Sequence, residues 1–245
     1  MGERRIYRAF MTREGLVSFE VRHKETDLHI QTGKDLSREV SGWVIEARLF
    51  IEEYGARHPG FFKSYTPVPE DPFAPPVVKE MIAAAKTAGV GPMAAVAGAV
   101  AEYVGVRCAD FTSGEVIVEN GGDIFICIDR RPLISAIWAG KSPLSGRIGL
   151  RIMPEATPLG ICTSSGTVGH SRSFGTADAV TILSRSTALA DAAATAVGNM
   201  VKTEMDIDAA LEYMGGIEGV MGGVIIKGTR LGAWGEVELA PVSAC

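Results

Sequence analysis

Residues Gly160 to Asn199 read GICTSSGTVGHSRSFGTADAVTILSRSTALADAAATAVGN. This stretch joins a loop rich in Ser, Thr and Gly to a strand-like run and then to an alanine-rich helix. Asp191 and Thr195 are four residues apart in that helix, so they share one face. Glycine backbones approach ligands closely and bind anions, whereas carboxylate and hydroxyl oxygens suit a hard cation such as Mg²⁺. These helix positions are equally consistent with an ordinary solvated polar face. The sharper interpretation of the stretch is a metal and phosphate site.

The composition is that of a globular protein with a glycine excess: 245 residues, 47% hydrophobic, with 29 glycines. A chain of this length can bury a sizeable core. The net charge of −5 gives no electrostatic support for nucleic-acid binding. The start has no apolar signal region and no apolar run reaches membrane-spanning length, so we expect a soluble, cytoplasmic protein that contacts no membrane. The four cysteines show neither CxxC spacing nor a paired framework.

The hydrophobic pattern predicts one α+β domain over 1–245, with antiparallel sheets packed with helices. Strands and a helix fill 1–65, a proline-rich loop covers 66–76, and the motifs lie in 77–245. The strand–strand–helix rhythm occurs twice, which raises two pseudo-equivalent halves as a hypothesis, although we find no sequence repeat. The predicted elements are two or three strands (RIYRAFM, LVSFEVR, ETDLHIQ), helices 35–54, 77–88 and 92–103, five strands between 115 and 183, helices 187–203 and 206–214, and a final hairpin (GVIIKGTR, WGEVELA).

The sequence ENGGD, Glu119 to Asp123, is a hairpin signal because Asn-Gly favours the positive φ angles of a type I′ turn. A tight turn alone explains most of it. It does not explain the second glycine followed by a carboxylate. Gly121, Gly122 and Asp123 are therefore candidate ligand-binding residues, and Asp123 is also a candidate catalytic residue.

Two further segments each allow a structural and a functional interpretation. Gly98 lies in an alanine-rich helix, where it costs about 1 kcal/mol relative to alanine. Close packing and ligand approach explain it equally well. The loop that follows Cys162 is either a mobile surface loop or an anchored ligand loop. Its histidine could serve as a hydrogen-bond donor, a base or a brace. The loop's candidate ligand-binding residues are Thr163, Ser164, Ser165, Gly166, Thr167 and His170, of which His170 is also a catalytic candidate.

In this order, the motifs resemble the ApbE superfamily of FAD:protein FMN transferases, over roughly Val90 to Val201. ENGGD is similar to the family's GGD turn, CTSSGTVGHS to its Ser-Gly stretch with a histidine, and ALADAAATAVG to its A-D-A-x-x-T element. The resemblance implies a T-fold-like architecture with a cleft for FAD or FMN. It also implies a Mg²⁺ ion held by Asp191, Thr195 and a backbone carbonyl of the alanine-rich helix, for which Ala97 and Ala95 are candidates.

The chain departs from the transferases at one residue of this helix. They carry an A-K-G motif, whereas this chain reads Ala97-Gly98-Ala99. The leading hypothesis is a cytoplasmic flavin- or nucleotide-binding protein with transferase chemistry. The alternatives are a non-catalytic binding or assembly module and an enzyme acting on another planar nucleotide or pterin. The alanine-rich helices and glycine-rich C-terminal hairpin could pack between subunits, so a homodimer is expected.

Overall fold

The computed structural model describes residues 7–8, 11–112, 114–166 and 174–242. Its largest element is an eight-stranded sheet in which every neighbouring pair is antiparallel. The strands are β1 (Val17–His23), β2 (Thr26–Thr32), β3 (Val116–Asn120), β4 (Asp123–Cys127), β5 (Leu133–Ala136), β6 (Ile148–Ile152), β7 (Leu159–Ser164), β8 (Ala179–Ser184), β9 (Val220–Lys227), β10 (Arg230–Gly235) and β11 (Leu239–Pro241). The large sheet runs β1-β2-β3-β4-β7-β8-β9-β10, and a small sheet runs β11-β6-β5.

Five α-helices supply buried residues to one hydrophobic core on one face of the large sheet. A 3₁₀ helix, Pro92–Ala95, leads directly into the third of them. The helices are α1 (Ser37–Arg57), α2 (Pro76–Ala88), α3 (Val96–Thr112), α4 (Thr187–Met200) and α5 (Ile207–Gly215). A second core, to which the small sheet contributes, lies on the other face. The α+β class with antiparallel sheets packed with helices is confirmed.

The two cores explain the strand sequences. In β3, Val116 and Val118 belong to the helix-side core, whereas Ile117 belongs to the other core. Successive side chains of a strand point to opposite faces, so both faces of this strand require apolar residues. β8 is buried along its whole length for the same reason. Below, "the helix face" means the side of the large sheet that carries the helices.

Three predicted elements differ in the structure. Tyr7 and Arg8, within the predicted strand RIYRAFM, form a short 3₁₀ segment. Gly160 to Ser164, interpreted as the start of a loop, belong to β7 in the middle of the large sheet. The small and polar residues of this segment do not show the alternating apolar pattern of a strand. β4 and β8 nevertheless both pair with it. The predicted strand WGEVELA is divided between two sheets, because Gly235, with φ of 78°, ends β10.

Helix boundaries also moved. The predicted helix 92–103 continues to Thr112, since Val104 and Cys108 keep the buried stripe of α3 beyond its predicted end. Within the described ranges no single helix is long and apolar enough to cross a membrane. Only the segments Pro76–Ala88 and Pro92–Thr112 pass that test together, and they are bent by 107°.

Candidate functional site

The turn between β3 and β4 places a carboxyl group on the helix face. Gly121 and Gly122 have φ angles of 72° and 105°, a left-handed region that glycine adopts without strain. Asn120 and Asp123 flank them, pair across the two strands and are buried. The predicted hairpin is confirmed, with two glycines at its centre instead of the Asn-Gly pair.

Asp191 reaches the same place from α4. Its Oδ2 accepts the Gly98 N–H at 2.9 Å, and the Ala97 N–H also bonds to this carboxylate. Both N–H groups belong to the first turn of α3, directly after the 3₁₀ helix. Asp191 therefore caps α3 from the neighbouring helix. The residues around it in α4 are largely buried, so this side of the helix is not an ordinary solvated face.

Gly98 lets α3 and α4 meet backbone to backbone. A Cβ at this position would lie 2.3 Å from the Thr187 carbonyl oxygen and 2.8 Å from the Asp191 Cβ. Close packing between the two helices therefore explains the missing side chain. Any side chain at this point would push the two helices apart.

Two carboxyl groups meet here, of which Asp123 is buried and Asp191 is half-buried. Burial raises the pKa of Asp191 to about 7, although the two N–H groups act in the opposite direction. The pKa of Asp123 is raised well above its ordinary value, first by burial and then by the negative charge of Asp191. Cys162 lies opposite Asp123 in β7, and burial raises the pKa of its thiol. Such a pair favours the uptake of a proton or of a cation.

The Ala97 carbonyl is a predicted metal ligand and belongs to the residue whose N–H bonds to Asp191. It accepts a hydrogen bond from Asn120 Nδ2 at 3.0 Å. Asn120 thus joins the Gly121–Gly122 turn to the start of α3, on which Asp191 also acts.

Thr163 and Ser164 end β7 and point to opposite faces. The Thr163 hydroxyl lies 2.9 Å from the Thr181 hydroxyl, away from Asp123. Only the backbone of Thr163 reaches the turn, where its N–H donates to the Gly122 carbonyl at 3.2 Å. Ser164 lies on the helix face and packs near Gly198 of α4. A Cβ added to Gly198 would lie 3.7 Å from the Ser164 Oγ.

The rest of the predicted loop leaves the strand after Ser164. The Gly166 N–H donates to the Ala177 carbonyl at 2.9 Å. This bond ties the start of the loop to the residues just before β8. Thr167 and His170 lie outside the described residues, so their predicted roles stay predictions.

Further along α4, Thr195 is half-buried one turn after Asp191. One turn later, Asn199 Oδ1 accepts the Phe174 N–H at 2.8 Å. The Phe174 ring meets the Tyr65 ring edge to face, with centroids 5.4 Å apart. Both rings are largely exposed. The Asp191 carboxylate, the Thr195 hydroxyl and the ring pair of Tyr65 and Phe174 therefore lie along one side of α4.

Glu102 was missed by the sequence reasoning. This residue of α3 caps the start of α4, because its Oε2 accepts the N–H groups of Thr187 at 2.9 Å and Ala188 at 3.2 Å. Burial raises its pKa. The two helices therefore cap each other, with Glu102 acting in one direction and Asp191 in the other. No local signal could reveal this contact, since 85 residues separate the partners.

The candidate ligands at this site are oxygen atoms, which suit a hard cation better than a soft one. Among the residues that the structure describes, no three His, Cys, Asp or Glu side chains form a group that could hold a metal ion. A cation here would depend on two carboxyl groups, Asp123 and Asp191, with the Thr195 hydroxyl and the Ala97 carbonyl. These are the oxygen donors that Mg²⁺ accepts. Because the two carboxyl groups disfavour each other's charge, a cation would also relieve their repulsion.

An antiparallel α+β sheet of this form, with helices on one face, is the fold of the ApbE-like superfamily. The flavinyl transferase ApbE of Pseudomonas stutzeri matches it with a TM-score of 0.55 at 13% identity, over 91% of this chain and 95% of its own. The ApbE protein of Thermotoga maritima matches with a TM-score of 0.58 at 12% identity, over 90% and 97%.

Residues 8–212 match the family described as AbpE bacteria, and the chain belongs to it. It is similar to proteins named UPF0280 protein in two methanogens. The one from Methanothrix thermoacetophila is 42% identical over 196 residues, 79% of this chain and 81% of the relative. The one from Methanospirillum hungatei is 44% identical over 194 residues, 78% and 76%.

Proposed function

We propose that this protein binds a flavin nucleotide, FAD or FMN, together with Mg²⁺, and acts as a flavin transferase of the ApbE type. The observation that carries the proposal is the pair formed by the buried Asp123 and the half-buried Asp191 at the start of α3. Their raised pKa values indicate a place where a cation replaces protons. The superfamily fold, found in proteins named flavin transferases, supports a flavin nucleotide as the ligand.

Asp191, Thr195 and the Ala97 carbonyl would hold the ion, with Asp123 facing them. When bound, Mg²⁺ neutralises phosphate charge and so stabilises a phosphoryl group during transfer. The exposed rings of Tyr65 and Phe174, beyond Thr195 on the same side of α4, offer apolar surface to a planar heterocycle.

In the proposed transfer, an acceptor hydroxyl oxygen forms a bond to the FMN phosphorus of FAD, and the bond from this phosphorus to the bridging oxygen breaks. AMP then leaves with that oxygen. The hydroxyl proton needs an acceptor beside the phosphate. Asp123 suits this role once a cation has displaced its own proton, because its raised pKa makes the carboxylate a stronger base than an ordinary one.

A second candidate is a protein that binds the nucleotide without transferring it. The packing at Gly98 favours this reading, since a lysine at that position would overlap the Thr187 carbonyl. The charge that the A-K-G lysine supplies in the transferases is therefore absent from this point of the chain. Binding and transfer must be tested separately.

Binding is tested by thermal shift with FAD, FMN and AMP, each with and without Mg²⁺. We expect FAD with Mg²⁺ to raise the Tm of the wild type, and Asp191→Asn to lose most of this increase. Asp206→Asn is the matched control. Its carboxylate also accepts backbone N–H groups near a helix start, from Lys202 at 3.0 Å and Thr203 at 2.7 Å. An unchanged Tm with FAD and Mg²⁺ in the wild type would reject the proposal.

Transfer is tested by AMP release from FAD in the presence of Mg²⁺ and a hydroxyl-bearing acceptor peptide. AMP release with covalent flavin on the peptide supports the transferase. Binding without AMP release supports the second candidate.

A further inference from the structure

Glu119 lies in β3, two residues before the Gly121–Gly122 turn. Its side chain is on the opposite face of the large sheet from that of Asp123. Its side chain is fully buried. Glu119 Oε1 accepts the Gly122 N–H at 2.9 Å, so the carboxylate fixes the turn from behind. This bond comes in addition to the strand pairing of Asn120 with Asp123.

Two residues near the start of the chain hold Glu119 in this position. The Tyr7 hydroxyl donates to Glu119 Oε1 at 2.8 Å, the same oxygen that receives the Gly122 N–H. Arg8 Nε donates to Oε2 at 2.7 Å. Arg8 is itself fixed by Asp27, whose side chain and backbone carbonyl each accept a bond at 2.7 Å. Among these contacts, only the Gly122 N–H belongs to the candidate site.

The charges explain why Arg8 is needed. A buried carboxylate without a cation is costly. His29 lies opposite Glu119 in β2, and its pKa is lowered by burial and then by the charge of Arg8. His29 is therefore neutral at pH 7, and Arg8 balances Glu119. When Tyr7 or Arg8 is lost, the carboxylate loses part of the set of bonds that orients it toward Gly122.

We propose that Glu119, held by Tyr7 and Arg8, is a positioning residue that sets the Gly121–Gly122 turn, and with it Asp123, for nucleotide binding. The start of the chain would then control the geometry of a site on the other face of the sheet. The proposal rests on the proposed function for the identity of the ligand. Its structural part, the link from Tyr7 to the turn, stands without a ligand.

The test is Tyr7→Phe, which removes one hydroxyl and keeps the ring. Tyr103→Phe is the matched control, because the Tyr103 hydroxyl also donates to a glutamate, Glu46 Oε2 at 2.7 Å, in the helical layer. Hydrogen exchange is measured at the Gly122 amide, and the Kd for FAD is measured with Mg²⁺ present. Loss of one hydrogen bond predicts exchange about five-fold faster and binding about five-fold weaker in Tyr7→Phe. Tyr103→Phe should change neither quantity.

Arg8→Gln is a second variant, with a larger effect expected in the same direction. If it does not fold, Tyr7→Phe decides alone. A lower Tm in Tyr7→Phe with wild-type exchange at Gly122, or with wild-type FAD affinity, would overturn the proposal and leave Glu119 a structural role only. If the wild type binds no FAD, the proposed function fails. The exchange rates then still show whether Tyr7 holds the turn.

Discussion

Gly98→Ala perturbs the contact on which the candidate site depends. The new methyl group would lie 2.3 Å from the Thr187 carbonyl oxygen and 2.8 Å from the Asp191 Cβ. The first of these atoms is backbone, so no side-chain rotation removes the overlap. α4 must instead move away from α3, which lengthens the 2.9 Å bond from the Gly98 N–H to Asp191.

The magnitude follows from three contributions. Overpacking costs about 1–3 kcal/mol. Weakening a hydrogen bond to a carboxylate costs about 1.5–3 kcal/mol when the bond is lost entirely. Alanine returns about 1 kcal/mol of helix propensity. The free energy of unfolding should therefore fall by about 1.5–5 kcal/mol. A domain with roughly 5–15 kcal/mol can survive most of this range.

Urea denaturation measures the change, and Gly42→Ala in α1 is the matched control. A Cβ at Gly42 meets nothing within 4 Å, so this substitution should raise the free energy of unfolding by about 0.5–1 kcal/mol. Gly98→Ala should also lose the Tm increase caused by FAD and Mg²⁺, because Asp191 is displaced. A Gly98→Ala protein as stable as the Gly42→Ala protein, with an unchanged ligand response, would refute the argument.

Three further predictions concern carboxylates that are buried or half-buried. Hydrogen bonding to Arg13 holds the pKa of Glu115 at about 2, against an ordinary 4.5. Glu115→Gln should therefore lower the free energy of unfolding at neutral pH by about 3 kcal/mol. In urea denaturation at successive pH values, this gap should close as the pH falls from the ordinary pKa toward the lowered one, and a constant gap contradicts the assignment. Because Asp191 takes up a proton near neutrality, the Tm increase caused by Mg²⁺ should be larger at about pH 8 than at about pH 6; equal increases would argue against Asp191 as a ligand. Glu102→Ala removes the acceptor of the Thr187 N–H and should cost about 1 kcal/mol in urea denaturation, most of which Glu102→Gln should recover.

Much of the site was accessible from local sequence, because its signals are short-range. Gly121 and Gly122 predict a turn, since few other residues adopt positive φ. Asp191 and Thr195 share a helix face because they are four residues apart. The order of these motifs, together with the Ala97–Ala99 segment, was enough to identify the ApbE-like superfamily.

The parts that the sequence did not reveal are long-range pairings. β7 is a strand because β4 and β8 lie on its two sides, whereas its own residues, LGICTS, resemble a loop. Tyr7 and Arg8 were read as strand residues, and only the folded chain brings them to Glu119, more than a hundred positions away. Gly98 illustrates the same limit: the sequence showed that a side chain was missing but not which contact required this.

The sequence by itself determined the fold class, the glycine turn and the helical spacing of Asp191 and Thr195, since these follow from backbone preferences and periodicity within a few residues. Only the tertiary structure decided that Asp123 and Asp191 lie together at the start of α3 and that α3 and α4 cap each other. The reason is that burial and charge interaction depend on distances across the fold. Those distances raise the pKa of both carboxyl groups and turn two separate motifs into one candidate cation site.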